Sequence, residues 1–305
     1  MSRIYEALEK AESERATAST SEKDHGICTV TMPFEEEQPS VTTTQPFDSI
    51  PMRPWKPCEA ALPTLADSGV AVEQFRSLRS SLYQMRAQIS LKTIIISSGM
   101  PAEGKTFIAA NLALSLARNN ERPVLLIDAD LRRPSIHRLL GTPDAPGLMQ
   151  YLVGSATSTE IVQRTNSAEI MNGHGARAIS NMGFIPAGQN TSNLPELAGN
   201  HRIEELITSV SPHFSWIIID SSPVMAVTDA VDLARIADGV LLVAREATTK
   251  YGTAQLAHAA FSRSRVLGFV INAAQNAPRN NYEYLYCGDG THATSSPGTA
   301  PGGGA

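Results

Sequence analysis

The sequence predicts an α/β fold with a mostly parallel sheet and helices on both faces. Short apolar runs of high strand propensity recur along the chain, and segments with helical spacing of apolar residues separate them. Two of these runs end in an aspartate, which is typical of parallel strands that present acidic side chains at one edge of a sheet. The predicted strands are residues 93–96, 122–128, 183–188, 216–220, 239–244 and 266–272.

Composition and charge restrict the function classes. The 305 residues carry a net charge of −5 and suffice for one large domain with appendages or for two small ones. Residues 1–72 hold 6 basic and 12 acidic residues, so residues 73–305 are left with 19 and 18, a net of +1. Because nucleic-acid binding usually needs a basic excess, we expect no nucleic-acid partner. We also expect a cytoplasmic chain, since no apolar run approaches the length of a membrane span and the charged start is unlike a secretory signal.

The chain divides into four predicted regions. Residues 1–15 form a short amphipathic helix that either docks onto a partner or onto the domain, or is a frayed end. Residues 16–70 are rich in Pro, Thr and Ser and acidic, which predicts a disordered linker. The folded domain covers residues 71–276, and residues 277–305 form a flexible tail with a tyrosine cluster. The cysteines Cys28, Cys58 and Cys287 lie too far apart to suggest a metal cluster or a disulfide framework.

A glycine-rich loop joins the first predicted strand to the helix predicted from Phe107 to Ala117. It matches the phosphate-binding pattern G-x-x-x-x-G-K-[ST] with the flanking strand and helix that this loop needs. The backbone N–H groups of such a loop surround the phosphates, and the helix N-terminus adds positive charge. The lysine reaches the β- and γ-phosphates, and the threonine hydroxyl binds Mg²⁺. The predicted ATP-binding residues are Gly99, Met100, Pro101, Ala102, Glu103, Gly104, Lys105 and Thr106.

Two further strands end in acidic residues that we expect beside the phosphate loop. Asp128 closes one apolar strand and is followed by Asp130, so Asp128 should face the γ-phosphate. Asp220 closes the strand Trp-Ile-Ile-Ile-Asp, which has the form of a Walker B strand next to the phosphate-loop strand. The sequence therefore predicts that Lys105, Asp128 and Asp220 converge at the carboxyl edge of the sheet.

A helix over residues 72–89 carries a charged flank. Its apolar residues recur every three or four positions, and Glu73, Arg76 and Arg79 follow each other at spacings of three. Two interpretations remain open at this point: a solvated face with an ion pair, or a contact surface.

Taken together, these motifs resemble those of the bacterial tyrosine kinases of exopolysaccharide biosynthesis, in particular the soluble cytoplasmic type. The resemblance covers roughly residues 70–290 and the first dozen residues, whose start Met-Ser-Arg-Ile-Tyr-Glu-Ala-Leu is similar to that of soluble members. It is carried by the phosphate loop, the stretch Leu125–Arg132, the strand ending in Asp220, the charged flank and the tyrosines of the tail. The three tyrosines are Tyr282, Tyr284 and Tyr286.

The resemblance implies an ATP-dependent autokinase with a P-loop NTPase fold and with ATP and Mg²⁺ as cofactors. Lys105 would neutralise the transferred phosphoryl group, while Thr106, Asp128 and Asp220 would surround Mg²⁺. Asp128 would also be the base for the incoming tyrosine hydroxyl. Asp130 would support that base, and Arg132 would stabilise phosphate charge. Asn272 would contact the adenine. The residue after it is Ala273, where a basic residue is common in the family.

The same resemblance implies partners. Glu73, Arg76 and Arg79 would join subunits into a ring, and the tyrosine tail of each subunit would enter the neighbouring active site. A membrane polysaccharide co-polymerase, or chain-length regulator, would activate the chain and hold it at the inner membrane. A cognate tyrosine phosphatase would remove the phosphate. One departure from the family is Ser221-Ser222-Pro223 in place of Thr-Pro-Pro, which we expect to alter loop stiffness.

Two other functions compete with a kinase. A ParA/MinD-like ATPase would carry an additional lysine where this chain has Met100, and it would lack the tyrosine tail. A nucleotide-binding regulator without phosphoryl transfer would not need Lys105, Asp128 and Asp220 together. The sequence favours the kinase over both.

Overall fold

A computed structural model describes residues 50–119, 122–165, 174–189 and 201–274. The predicted N-terminal helix, the first part of the predicted linker and the tyrosine tail lie outside the described residues. Within the described ranges, no helix combines the length and apolar character needed to span a bilayer.

Six parallel strands form one sheet, as the sequence predicts. Their order is β3-β2-β4-β1-β5-β6, and every neighbouring pair runs parallel. The strand ending in Asp220 pairs directly with the phosphate-loop strand, which confirms their predicted adjacency. The strands are β1 Thr93–Ser98, β2 Val124–Asp128, β3 Met182–Ile185, β4 Trp216–Asp220, β5 Gly239–Arg245 and β6 Val266–Asn272.

Helices connect these strands and cover both faces of the sheet. The described helices are α1 Val70–Arg86, α2 Lys105–Asn119, α3 Ile136–Leu140, α4 Leu148–Leu152, α5 Ser158–Ile161, α6 His174–Ser180, α7 His201–Val210, α8 Asp229–Leu233 and α9 Tyr251–Ala260.

The hydrophobic core consists of two layers separated by the sheet. Successive residues of a strand face opposite sides, so Ile95 belongs to one buried cluster and Ile94 and Ile96 to the other. Residues of α1 and α2 complete the second cluster, while residues of α7 and α9 complete the first. Burial on both faces explains why the central strands are continuous apolar runs.

The predicted linker extends too far towards the domain. Trp55 is fully buried, and its ring meets Phe184 edge-on at 6.2 Å between centroids. Leu62 and Leu65 are also buried, around the short 3₁₀ turns Glu59–Ala61 and Pro63–Leu65. The prediction of disorder up to residue 70 is therefore wrong for the described residues 50–70. These apolar side chains have no helical or strand period, so sequence periodicity could not reveal their burial.

Candidate functional site

The phosphate loop lies between the end of β1 and the start of α2, as predicted. Ala102 has φ 65° and Gly104 has φ 96°, so the backbone makes a tight curl between the two flanking elements. A Cβ atom at Gly104 would lie 1.9 Å from Nδ2 of Asn272, which only glycine avoids. The sequence pattern and the backbone geometry therefore describe the same phosphate-binding loop.

Lys105 lies between two carboxylates at the first turn of α2. Its Nζ is 2.8 Å from Oδ2 of Asp130 and 3.8 Å from Oδ1 of Asp220. Burial lowers the pKa of Lys105, but attraction by Asp220 and Asp130 outweighs this and leaves the pKa above its ordinary value. Lys105 therefore remains a fixed positive charge at the position where phosphate charge would arrive.

Asp128 lies at the tip of β2 and is fully buried. Its Oδ2 accepts hydrogen bonds from the backbone N–H groups of Ser135 at 3.0 Å and Ile136 at 3.1 Å. Burial and, secondly, repulsion by Asp220 raise the pKa of Asp128 to about 7, although the backbone hydrogen bonds oppose the shift. A carboxyl group with a pKa near neutrality is suited to accept a proton during a reaction.

Asp220 lies at the tip of β4, and its carboxylate is also fully buried. Among the described residues, neither of its oxygens has a partner with good hydrogen-bond geometry. Burial raises the pKa of Asp220 to about 6, although the nearby Lys105 ammonium and Thr106 hydroxyl lower it. A buried carboxylate without hydrogen bonds is costly unless a cation compensates it.

Thr106 and Asp220 fit Mg²⁺, because the ion would compensate the buried Asp220 carboxylate and the Thr106 hydroxyl lies nearby. Mg²⁺ is usually held by one or two carboxylates together with substrate phosphates and water. In the part of the chain that the structure describes, no group of three or more His, Cys, Asp or Glu side chains has metal-binding geometry. Asp128 is less suited to the ion, because its oxygens already accept backbone N–H groups.

Two predicted residues do not join this cluster. The Arg132 side chain is half exposed, and its Nε lies 3.6 Å from Oδ2 of Asp229. Nδ2 of Asn272 donates to the carbonyl of Glu103 at 2.9 Å, and its Oδ1 accepts the Ala273 N–H at 2.8 Å. A phosphate contact by Arg132 and an adenine contact by Asn272 remain predictions.

The charged flank of α1 is only partly exposed. Arg76 and Glu73 form an ion pair at 3.0 Å with side chains 51% and 56% exposed. The guanidinium of Arg79 is instead buried and donates to the carbonyl of Ser115 on α2 at 2.7 Å. This side chain therefore connects α1 to α2 within one chain, and a contact of Arg79 between subunits remains a prediction.

The structure also identifies site residues that the sequence analysis missed. The hydroxyl of Ser222 is buried and donates to Oδ1 of Asp130 at 3.2 Å. Ser221 donates to the carbonyl of Ile96 at 3.0 Å. The departure from Thr-Pro-Pro is the sequence signal for these residues, and at Ser222 it supplies a hydrogen bond to the site as well as a change in loop stiffness.

Comparisons with known proteins agree with this geometry. A family model described as an AAA domain matches residues 91–262. The tyrosine-protein kinase Wzc of Salmonella typhimurium is 31% identical over 257 residues, which cover 79% of this chain but only 34% of Wzc. The tyrosine-protein kinase YwqD of Bacillus subtilis is 29% identical over 214 residues, covering 70% of this chain and 85% of YwqD. This chain thus spans about a third of relatives such as Wzc and most of relatives such as YwqD.

Solved structures show the same relationship. The kinase domain of the Escherichia coli tyrosine kinase ETK superposes with a TM-score of 0.62 at 28% identity, covering 72% of this chain and 83% of that chain. The cell-division ATPase MinD of Pyrococcus furiosus superposes with a TM-score of 0.50 at 22% identity, covering 62% of this chain and 74% of that chain. The MinD match shows a shared fold only.

Proposed function

Because the chain belongs to the AAA-domain family and, within it, to the bacterial tyrosine kinases, we propose that it is an ATP-dependent protein-tyrosine kinase. The observation that carries this proposal is the convergence of Lys105 with the buried carboxylates of Asp128, Asp130 and Asp220 beside the phosphate loop. A fixed cation, a carboxyl group with a pKa near 7 and a buried carboxylate without a hydrogen-bond partner among the described residues are parts that suit phosphoryl transfer with Mg²⁺.

The roles of the side chains follow from their positions. Lys105 leaves its contact with Asp130 and neutralises oxygens of the γ-phosphate as their charge is redistributed. Thr106 and Asp220 would hold Mg²⁺, which would supply positive charge to neutralise the phosphates. A bond forms between the tyrosine oxygen and the γ-phosphorus while the bond to ADP breaks, and Asp128 takes the tyrosine proton. Ser222 keeps Asp130 in place when Lys105 moves.

The acceptors of the phosphate are proposed to be Tyr282, Tyr284 and Tyr286 of a neighbouring subunit, which lie outside the described residues. Subunits would associate through α1, where Glu73 and Arg76 are exposed. The resemblance of the motifs to the tyrosine kinases of exopolysaccharide biosynthesis supports the further proposal of a role in exopolysaccharide polymerisation or export. We propose a membrane polysaccharide co-polymerase as the activator, which would hold the chain in the cytoplasm at the inner membrane, and a tyrosine phosphatase as the enzyme that reverses the modification.

The proposal is tested by phosphopeptide mass spectrometry after incubation with ATP and Mg²⁺. We expect phosphotyrosine in residues 282–286 of the wild type and a reduction of at least roughly a hundredfold in Lys105→Met, because loss of one positioned charge costs about 3 kcal/mol. Lys56→Met is the matched control, since Lys56 is exposed. Replacement of all three tyrosines by Phe should remove most of the phosphate while ATP binding survives.

Two results would redirect the interpretation. ATP hydrolysis without phosphotyrosine, with or without the cytoplasmic segment of a candidate membrane partner, would favour the ParA/MinD-like switch. ATP binding without hydrolysis or phosphotyrosine would favour the non-catalytic regulator.

A further inference from the structure

Glu103 is a buried acidic residue of the phosphate loop whose carboxylate has no role in the reaction described above. The residue is 2% exposed, and Oε2 accepts the backbone N–H of Met100 at 2.9 Å. Oε1 accepts a hydrogen bond from the hydroxyl of Thr249, in the segment between β5 and α9. Among the described residues, no Lys, Arg or His forms an ion pair with Glu103. A buried carboxylate in such a place depends on its hydrogen bonds.

The same residue is fastened at its backbone. Nδ2 of Asn272, at the end of β6, donates to the carbonyl of Glu103 at 2.9 Å. Thr249 is itself fixed, because its hydroxyl oxygen accepts the backbone N–H of Arg245 at 2.8 Å. Glu103 thus connects the phosphate loop to the ends of two strands on one side of the sheet.

The loop backbone next to Glu103 needs such support. Ala102 has φ 65°, a left-handed conformation that L-residues with a side chain rarely adopt. Contacts on the following residue oppose relaxation of this backbone towards ordinary angles. Relaxation would change the directions of the backbone N–H groups that a loop of this kind offers to phosphate.

We infer that Glu103 and Thr249 are positioning residues that form a latch, which holds the phosphate loop in its binding shape before nucleotide arrives. A loop that is already ordered does not lose conformational freedom on binding, so the latch strengthens nucleotide affinity. The ordered loop contacts phosphate both before and during transfer. Loss of the latch should therefore weaken binding of ATP more than it slows the chemical step.

The inference rests on the proposed ATP-dependent function, but it is tested on binding alone. Thr249→Val removes the hydroxyl with little change in volume, Thr249→Ser retains it, and Thr248→Val is the matched control at the exposed neighbouring threonine. The probe is a fluorescent ATP analogue titrated in the presence of Mg²⁺. We expect Kd to rise about tenfold in Thr249→Val, equivalent to about 1.4 kcal/mol, and to stay within about twofold of the wild type in the other two variants.

A double-mutant cycle separates the latch from general damage. Because Glu103→Ala already removes the acceptor of the Thr249 hydroxyl, addition of Thr249→Val should change Kd by no more than about twofold. In kinase assays, KM for ATP should follow Kd while kcat changes by less than about threefold.

The outcomes are distinguishable from failure of the proposed function. A wild type that binds the analogue but forms no phosphotyrosine would refute the kinase proposal, while the Kd series would still decide on the latch. A Kd in Thr249→Val within twofold of the wild type, with or without a lower melting temperature, would refute the latch. A tenfold rise of Kd in Thr249→Ser would also refute the latch. The same holds for a decrease of kcat in Thr249→Val without a rise in KM, and for a wild type that binds no nucleotide.

Discussion

Two ion pairs of nearly equal length have opposite surroundings in this molecule. Lys105 and Asp130 lie 2.8 Å apart with side chains 11% and 5% exposed, whereas Arg76 and Glu73 lie 3.0 Å apart with side chains 51% and 56% exposed. Water and salt screen the second pair, while the first lies where charges interact strongly and are costly to leave unpaired. Burial, and not distance, therefore separates the reactive cluster from the surface pair.

The largest expected effect is the loss of activity on removal of a buried charge. Asp220→Asn should reduce phosphoryl transfer by about a hundredfold or more, because Mg²⁺ loses its carboxylate ligand. The same variant should unfold at no lower temperature than the wild type at pH 8, since the lost carboxylate has no hydrogen-bond partner among the described residues. Phosphotyrosine formation and thermal unfolding measure the two effects.

Asp67→Asn is the control for Asp220→Asn, because Asp67 is exposed. Retained activity in Asp220→Asn would contradict the assignment of this residue to Mg²⁺. A large loss of stability at pH 8 would contradict the view that its charge is a burden on the nucleotide-free fold.

The next effect concerns stability against pH in the nucleotide-free chain. The pKa values of Asp128 and Asp220, about 7 and about 6, lie above the ordinary value of 3.8, so the folded state retains protons that the unfolded state releases. Their contribution to stability is complete below about pH 4 and is lost as the pH rises through about 7. We expect the wild type to lose on the order of 2 kcal/mol relative to Asp128→Asn between pH 5 and pH 8.

Chemical denaturation at several pH values measures this difference. Parallel curves for the wild type and Asp128→Asn would show that Asp128 titrates normally. If the wild type instead gained stability relative to Asp128→Asn between pH 5 and pH 8, the backbone hydrogen bonds to Asp128 would affect its pKa more than burial does.

The buried cluster was largely predictable from sequence, and its surroundings were not. Lys105, Asp128 and Asp220 each stand at the junction of a strand with a loop or a helix, and parallel strands bring such junctions to one edge. Ser222 and Thr249 reach the site through loops whose course no periodicity encodes. Arg79 shows the same limit, because a spacing of three places residues on neighbouring positions of a helix without telling which of them faces the protein.

Arg79 provides an intermediate case between the two ion pairs. Arg79→Ala should lower the free energy of unfolding by about 1–3 kcal/mol, because the carbonyl of Ser115 loses a charged donor in a buried position. Urea denaturation measures the loss. An effect no larger than that of Arg76→Ala would show that the contact between α1 and α2 does not depend on this guanidinium.

The smallest effect on stability is expected at the exposed pair, where self-association is the informative measurement. Arg76→Ala should change the free energy of unfolding by less than about 0.5 kcal/mol, because exposed pairs at this spacing contribute little. We expect the pair to act in contacts between subunits, so sedimentation velocity should show weaker self-association of Arg76→Ala than of the wild type. Arg235→Ala is the matched control, since Arg235 forms an ion pair at the same spacing, with Asp232 at 3.6 Å, and its own side chain is 64% exposed. An unchanged sedimentation profile for Arg76→Ala would remove α1 from the proposed interface and leave the pair as an ordinary solvated contact.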